Sequence, residues 1–149
     1  MYLDGMDKAV KKVVDPRFAK DEEYRQTLLK IEAEGKCPFC PDNFKYHKEP
    51  ILLERDRWMI TRASWPYNNH QHHFLIIGRE HKEHISQLNI SDWVAVNELA
   101  NWAVEEFELK GGALALRFGN SEYTGATVTH LHFHFIVPQL GKVVNFPIG

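Results

Sequence analysis

Cysteine is nearly absent: the 149 residues hold two, Cys37 and Cys40, in the run Cys37-Pro38-Phe39-Cys40. Two thiols so close together exclude a disulfide framework and leave a metal clip or a redox pair. Neither charge is in excess, since 18 Lys and Arg stand against 20 Asp and Glu for a formal net charge of −2. Without a basic surplus there is no sign of a nucleic acid polymer as partner, while a small phosphorylated ligand stays open. No apolar run approaches the length that crosses a bilayer, and the first residues, Met1-Tyr2-Leu3-Asp4-Gly5-Met6-Asp7-Lys8, are partly acidic with no apolar stretch. The expectation is a cytoplasmic protein with no membrane partner. Internal repeats and low-complexity segments are missing too, and the length suits one domain with a real core.

Histidine is what the chain has in quantity, nine in all. Three of them alternate with large apolar residues in His130-Leu131-His132-Phe133-His134, and the run continues as Phe135-Ile136-Val137. Strand side chains alternate between faces, so residues 130, 132 and 134 point one way and Leu131, Phe133 and Phe135 the other. A buried strand gains nothing from three imidazoles in a row, because each must find hydrogen-bond partners or lose stability by desolvation. A site that uses them is the economical reading. The alternatives are a strand of satisfied core histidines, or three histidines coordinating one catalytic metal. A hydrolytic metal centre wants a carboxylate near its water, and the adjacent sequence offers only Glu122.

The remaining elements follow from periodicity and punctuation. Asp21 is a good N-cap for a short amphipathic helix carrying Tyr24, Leu28 and Ile31, which Gly35 stops. Residues 37–50 are rich in Pro, Asp and Asn and predict a loop. Ile51-Leu52-Leu53-Glu54 and Arg57-Trp58-Met59-Ile60-Thr61 predict a hairpin turning at Arg55-Asp56. Phe74-Leu75-Ile76-Ile77, bounded by Gly78, has the length and composition of a central strand, and the polar His70-Gln71-His72-His73 before it predicts a turn. Ser91 is the expected cap of a longer helix holding Trp93, Val96, Leu99, Ala100, Ala103 and Phe107, which Gly111-Gly112 ends. Ala113–Phe118 predicts a further strand. Segregated helices and clustered strands indicate an α+β fold built on an antiparallel sheet, rather than a doubly wound one. Lys8, Lys11 and Lys12 read as a solvated face. Trp58, Met59 and Ile60 read equally well as core or as the wall of a base pocket.

The stretch Gly125-Ala126-Thr127-Val128-Thr129-His130-Leu131-His132-Phe133-His134-Phe135-Ile136 resembles the signature of the histidine triad superfamily of nucleotide hydrolases and transferases. Phe74-Leu75-Ile76-Ile77-Gly78-Arg79-Glu80-His81 is similar to that family's buried strand with its following histidine, and Cys37-Pro38-Phe39-Cys40 to its zinc pair. These features stand in the family's order over roughly residues 37–138. The resemblance implies a histidine-triad-like domain over 36–149, an antiparallel sheet with a long helix on one face, and an extension over 1–35 carrying the amphipathic helix. It further implies a homodimer that binds a small-molecule nucleotide and attacks its α-phosphate through a covalent nucleotidyl-histidine. Dinucleoside polyphosphates and nucleoside phosphoramidates are the expected substrates, and hydrolysis, phosphorolysis and transfer all stay open. By the same resemblance His132 is the nucleophile, His134 stabilises phosphoryl charge, and Cys37, Cys40, His81 and His130 hold a structural zinc. Thr127, the backbone from Gly125 to Val128, and Asn120 are the implied substrate contacts. The chain departs from the family at Ala126, where glutamine is frequent, and at Ala63, where relatives carry an acidic or amide residue for the ribose. Those two positions keep open a nucleotide-binding regulatory module as the alternative to an enzyme.

Independently of the resemblance, an ordinary imidazole pKa of ~6.5 leaves a neutral nucleophilic nitrogen at neutral pH. Zinc takes four sulfur or nitrogen ligands, of which Cys37 and Cys40 supply two. His47, seven residues beyond Cys40, competes locally for the remainder. The cluster His70-Gln71-His72-His73 is a second, weaker metal candidate, which the resemblance places near the substrate side with one imidazole able to touch a phosphate, and Arg117 reads equally as a phosphate contact or as a solvated or ion-paired strand residue.

Overall fold

The computed structural model describes residues 12–149, so Lys8 and Lys11 of the expected solvated face lie outside the described residues. Five strands, β1 (Ile51–Arg55), β2 (Trp58–Arg62), β3 (His70–Gly78), β4 (Ala113–Leu116) and β5 (His132–Pro138), make one antiparallel sheet in the order β1-β2-β3-β5-β4. Helix α1 (Glu22–Glu34) precedes the sheet, and the longer α2 (Ile90–Glu106) packs on one face of it. The α+β expectation holds.

Strand alternation decides what each face carries. Trp58 and Ile60 of β2, Phe74 and Ile76 of β3, and Phe133, Phe135 and Val137 of β5 meet Ala95, Val96, Leu99 and Ala103 of α2 in the main core. Their sequence neighbours must then point away from α2. Met59, Leu75 and Ile77 form a second apolar cluster there with Phe39 and Phe44. His132 and His134 share that second face, paired in register with Ile77 and Leu75 of β3. Trp58 and Ile60 are therefore core, and Met59 belongs to the cluster beneath the histidine face.

Several boundaries move for identifiable reasons. Arg57 belongs to the β1–β2 turn, where it and Asp56 both take positive φ, the backbone that a two-residue hairpin turn demands. Residues His70–His73 are strand, because β3 runs on to pair with Ile136, Val137 and Pro138 of β5. Asn89, and not Ser91, caps α2: its side chain accepts from the Asp92 amide while the Asp92 carboxylate accepts from the Asn89 amide. Asp92 also accepts from Trp58 Nε1 and Lys82 Nζ, which fixes the start of the helix over β2. The helix ends at Glu106, well before Gly111-Gly112, as Phe107 turns in against Phe74 and Glu108 adopts positive φ. For α1 the expected ends are the observed ones, with Asp21 accepting from the Tyr24 amide and Gly35 at φ 76.

Ahead of α1, residues 13–15 pair with the loop that leads into β5. Val14 bridges Val128, the Asp15 amide donates to Thr127 O, and the Thr129 amide donates to Val13 O. Asp15, 1% exposed, gathers donors from Arg17, Lys12 and the Ser121 hydroxyl. Val13, Val14, Leu28, Ile31, Cys37 and Val128 close a third apolar cluster beneath this segment.

Candidate active site

Two groups of side chains meet at the N-terminal end of β5. In the first, one ligand atom from each of Cys37, Cys40, His81 and His130 lies within 4.8 Å of the others. Cys37 Sγ and Cys40 Sγ stand 3.4 and 3.7 Å from His130 Nδ1, Cys40 Sγ is 3.4 Å from His81 Nδ1, and the two Nδ1 atoms are 3.2 Å apart. Ligands on a tetrahedral zinc are separated by about 3.3 Å between two nitrogens and about 3.5 Å between sulfur and nitrogen, given ordinary zinc–ligand lengths. The cluster has those dimensions. The imidazoles are also held in the required tautomer: His130 Nε2 donates to Gly78 O at 2.6 Å and His81 Nε2 to the Glu83 carboxylate at 2.6 Å. Each Nδ1 therefore turns a lone pair inward, because Gly78 O and the Glu83 carboxylate hold the ring proton on the outer nitrogen. Burial pushes the Cys37 thiol up to about 12, with Cys40 adding to the rise. A dication at the centre of the cluster removes that cost. The four residues fit zinc.

His47 is not part of this cluster. Its Nε2 lies 2.7 Å from the Thr61 hydroxyl and its Nδ1 3.0 Å from that of Ser64, which places it in the wall of the neighbouring cavity. Nor do His70, His72 and His73 gather as a metal site: His70 Nδ1 donates to Tyr67 O, His72 Nδ1 faces Arg62, and His73 turns to His134.

The second group is the rest of the histidine face. His132 is buried, and its Nδ1 donates to the His130 carbonyl at 2.7 Å, so the Nε2 lone pair is the free one. Burial, reinforced by the charge of Arg117, lowers its pKa to about 4, and the ring is neutral at pH 7. Around His134 the protons can be assigned by elimination. The Tyr67 amide donates to His73 Nδ1 at 3.2 Å, so the His73 proton is on Nε2. That proton is donated to His134 Nδ1 at 2.9 Å, and His134 must then carry its own on Nε2. His134 Nε2 is the one buried side-chain polar atom among the described residues with no hydrogen-bond partner. An unsatisfied buried donor costs ~1–3 kcal/mol, which an oxygen placed against it recovers. Tyr67 stacks on His134 at 5.8 Å and 14°, and the Phe146 ring meets it edge-on at 5.0 Å.

One cavity is lined by His132, His134, His73, Thr127, Tyr24 and Arg117, among others. Gly125 and Val128 also reach its wall. Gly125 sits at φ 72, and a Cβ there would meet the Gly149 backbone at 3.0 Å, so only glycine fits without strain. The Gly125 and Ala126 amides are already donated, to Ser121 O and the Thr124 hydroxyl, while the Thr127 side chain lies on the cavity wall. Asn120 does not line the cavity; its side chain accepts from the Glu122 amide and caps the short turn before the loop. Glu122 pairs with Arg17, away from the histidines.

The family described as "Scavenger mRNA decapping enzyme C-term binding" matches residues 36–144, well over half of the chain. The chain belongs to this family. Solved histidine triad proteins share its fold. A "HIT family hydrolase from Clostridium thermocellum" is 25% identical with a TM-score of 0.56, over 75% of this chain and 97% of that one. A zinc-bound histidine triad family protein from Mycobacterium smegmatis is 19% identical with a TM-score of 0.56, over 77% and 84% of the two chains. A Plasmodium falciparum diadenosine triphosphate hydrolase is 21% identical with a TM-score of 0.52, over 62% and 63%. No curated protein matches the chain.

In this histidine triad protein the sequence reading passed over Phe39 and Tyr24 as cavity residues and left open which imidazole of residues 70–73 faces the site. The cluster of residues 70–73 read as a polar turn that the resemblance placed near the substrate side, and the β3–β5 register shows that His73 is the imidazole brought to His134. Phe39, inside the Cys-x-x-Cys turn, is edge-on to His132 at 5.0 Å and to His130 at 6.0 Å, so it joins the two groups. Its position between the two cysteines was the available signal. Tyr24 was read only as an apolar position of α1.

Proposed function

We propose that the protein is a nucleotide phosphohydrolase or nucleotidyltransferase working through a nucleotidyl-histidine on His132. The observation that carries this reading is the pairing of a bare Nε2 on neutral His132 with an unsatisfied N–H on His134, both on the wall of one cavity. A nucleophile and a donor side by side is what in-line displacement at phosphorus needs.

His132 Nε2 attacks the α-phosphorus, forming an N–P bond as the bond to the leaving group breaks and its electron pair departs with that group. His134 Nε2–H donates to a non-bridging oxygen whose charge grows as the leaving group goes. Phosphoryl transfer depends mainly on such positioning and charge stabilisation. Water, or another acceptor such as phosphate, then attacks the same phosphorus; the N–P bond breaks with its electron pair returning to His132 Nε2, and the acceptor's proton passes to solvent as the new P–O bond forms. Thr127 supplies a hydroxyl to the phosphate or to the leaving-group oxygen beside it. Zinc on Cys37, Cys40, His81 and His130 would act structurally, holding the Cys-x-x-Cys turn and Phe39 against the catalytic strand.

Residues 36–149 form the catalytic domain in this reading, and residues 1–35 an extension. A homodimer through β4 completes it, supported by the edge position of that strand, which among the described residues pairs only with β5 and leaves Leu114 exposed. Product analysis on a panel of dinucleoside polyphosphates and adenosine and uridine phosphoramidates, with and without phosphate, tests the reaction. Wild type should release a nucleoside monophosphate, or a diphosphate when phosphate is the acceptor, and His132→Ala should release neither. Equal turnover by both proteins would reject His132 as nucleophile.

A further inference from the structure

The cavity has a wall that the family match does not include. Similarity begins at residue 36, yet Lys20, Tyr24 and Thr27 line the same cavity as His132 and His134. This segment is fastened in place by the Val14–Val128 bridge and by the Asp15 carboxylate with Arg17 and Ser121.

Tyr24 meets the histidine loop directly, its hydroxyl 2.7 Å from Thr127 Oγ1. Two hydroxyls hold two protons, and one of these is used between them. Whichever group donates, one O–H remains for an oxygen in the cavity. Burial pushes the Tyr24 phenol up to about 12, so its proton is retained at neutral pH. The ring is held by Trp65, stacked at 5.1 Å and 22°, and Lys48 Nζ lies 3.5 Å from the Trp65 ring centroid. Among the described residues the charged side chains lining the cavity are Lys20 and Arg117, and no carboxylate lines it. Lys20 Nζ is only loosely paired, 3.7 Å from Asp21. Arg117 donates to the Tyr67 hydroxyl and to Pro147 O, leaving its charge without a carboxylate.

We infer that the segment ahead of the family match completes the substrate site: Tyr24, together with Thr127 and Lys20, forms a subsite for a second phosphate, next to the one that His132 attacks. This rests on the reading above and narrows it to substrates whose leaving group is itself phosphorylated. One phosphate is already served by His132 and His134. A neutral amine leaving group would meet two cations with no charge to offer them, whereas a polyphosphate meets both.

The test uses the full chain and two conservative variants, Tyr24→Phe, which keeps the stacked ring, and Lys20→Gln, at an exposed position. Calorimetry with inorganic tripolyphosphate should show binding to wild type, weakened about fivefold by each variant, the effect of one hydrogen bond or one charge contact. In kinetics, KM for a dinucleoside tetraphosphate should rise by a similar factor in each variant, and by more than KM for an adenosine phosphoramidate, which has no second phosphate to lose. A residue that merely supports the loop would impair both substrates alike, and that result overturns the subsite. So does tripolyphosphate that fails to bind wild type or binds all three proteins equally. An adduct on His132 formed under those circumstances would leave the proposed reaction standing without the subsite. Weakened tripolyphosphate binding in both variants, with no nucleotide turned over by wild type, would support the subsite and reject the reaction.

Discussion

His134 ends a line of donors that starts at the Tyr67 amide and passes through His73. The proton assignment makes His73 a positioning residue, since without it the His134 ring is free to take either tautomer. His73→Phe removes the donor but keeps an aromatic ring in the buried position. Turnover should fall on the order of 10²-fold, the usual consequence of losing one aligned donor to a developing oxyanion, with little change in KM. Steady-state kinetics on the best substrate of the panel checks this; a rise in KM at constant kcat would assign His73 to ground-state binding instead. At this scale the sequence was partly legible. Alternation alone put 132 and 134 on one face opposite Phe133 and Phe135, as observed. The role of His73 was hidden, because it depends on which residue of β3 lies beside which residue of β5.

At the scale of elements, the Cys-x-x-Cys turn, the segment around His81 and the start of β5 come together at one point. A metal bound there would couple the aim of His132 to the packing of Phe39, which touches both histidines. Protein prepared without chelator should hold one zinc per chain by elemental analysis, and removing the metal should lower the melting temperature, since binding energy at such a site contributes directly to folding. Glu83→Gln weakens the acceptor behind His81 and should reduce zinc affinity about 10–100-fold, the ordinary effect of losing the group that orients a ligand imidazole. Metal-buffer titration gives the answer, and an unchanged affinity would remove Glu83 from the site. Cysteine spacing named two members of this cluster from the sequence, and family order named the other two. The true cap of α2 and its early end were not legible, as they depend on Asp92 meeting Trp58 and Lys82 and on Phe107 meeting Phe74 across the fold.

For the whole molecule, burying neutral histidines makes stability depend on pH. Burial, with charge from His70 and other cations, lowers His73 to about 3, and burial beside His132 and His73 holds His134 well below its ordinary value. In the unfolded chain both titrate near ~6.5. Below that pH the unfolded state binds more protons than the folded one, so stability is full above ~6.5 and is lost as pH falls toward the folded values, by up to about 1.4 kcal/mol per pH unit for each histidine. Asp15 adds a second, more acidic phase. Its carboxyl is held far below the usual carboxylate range by hydrogen bonds from Arg17, Ser121 and Lys12, so the stability it contributes is lost only as pH drops below about 4. Denaturant melts from pH 8 to 3 should show a decline beginning near pH 6.5, and His73→Phe should make it shallower. A flat profile down to pH 4 would contradict the neutral buried histidines. The sheet and its covering helix could be read from alternation and helical spacing, but the N-terminal segment could not. Its attachment rests on Asp15, Val14 and Tyr24, which have no distinctive pattern along the chain and acquire meaning only beside Ser121, Val128 and Thr127.

The most direct test is intact-mass spectrometry after brief mixing with dinucleoside polyphosphates and nucleoside phosphoramidates, quenched at alkaline pH to preserve phosphohistidine. A mass gain of one nucleotidyl group on wild type, absent from His132→Ala, is the expected result, and the size of the gain identifies the nucleotide. Turnover with no adduct at any mixing time, or an adduct that persists in His132→Ala, would contradict attack by His132.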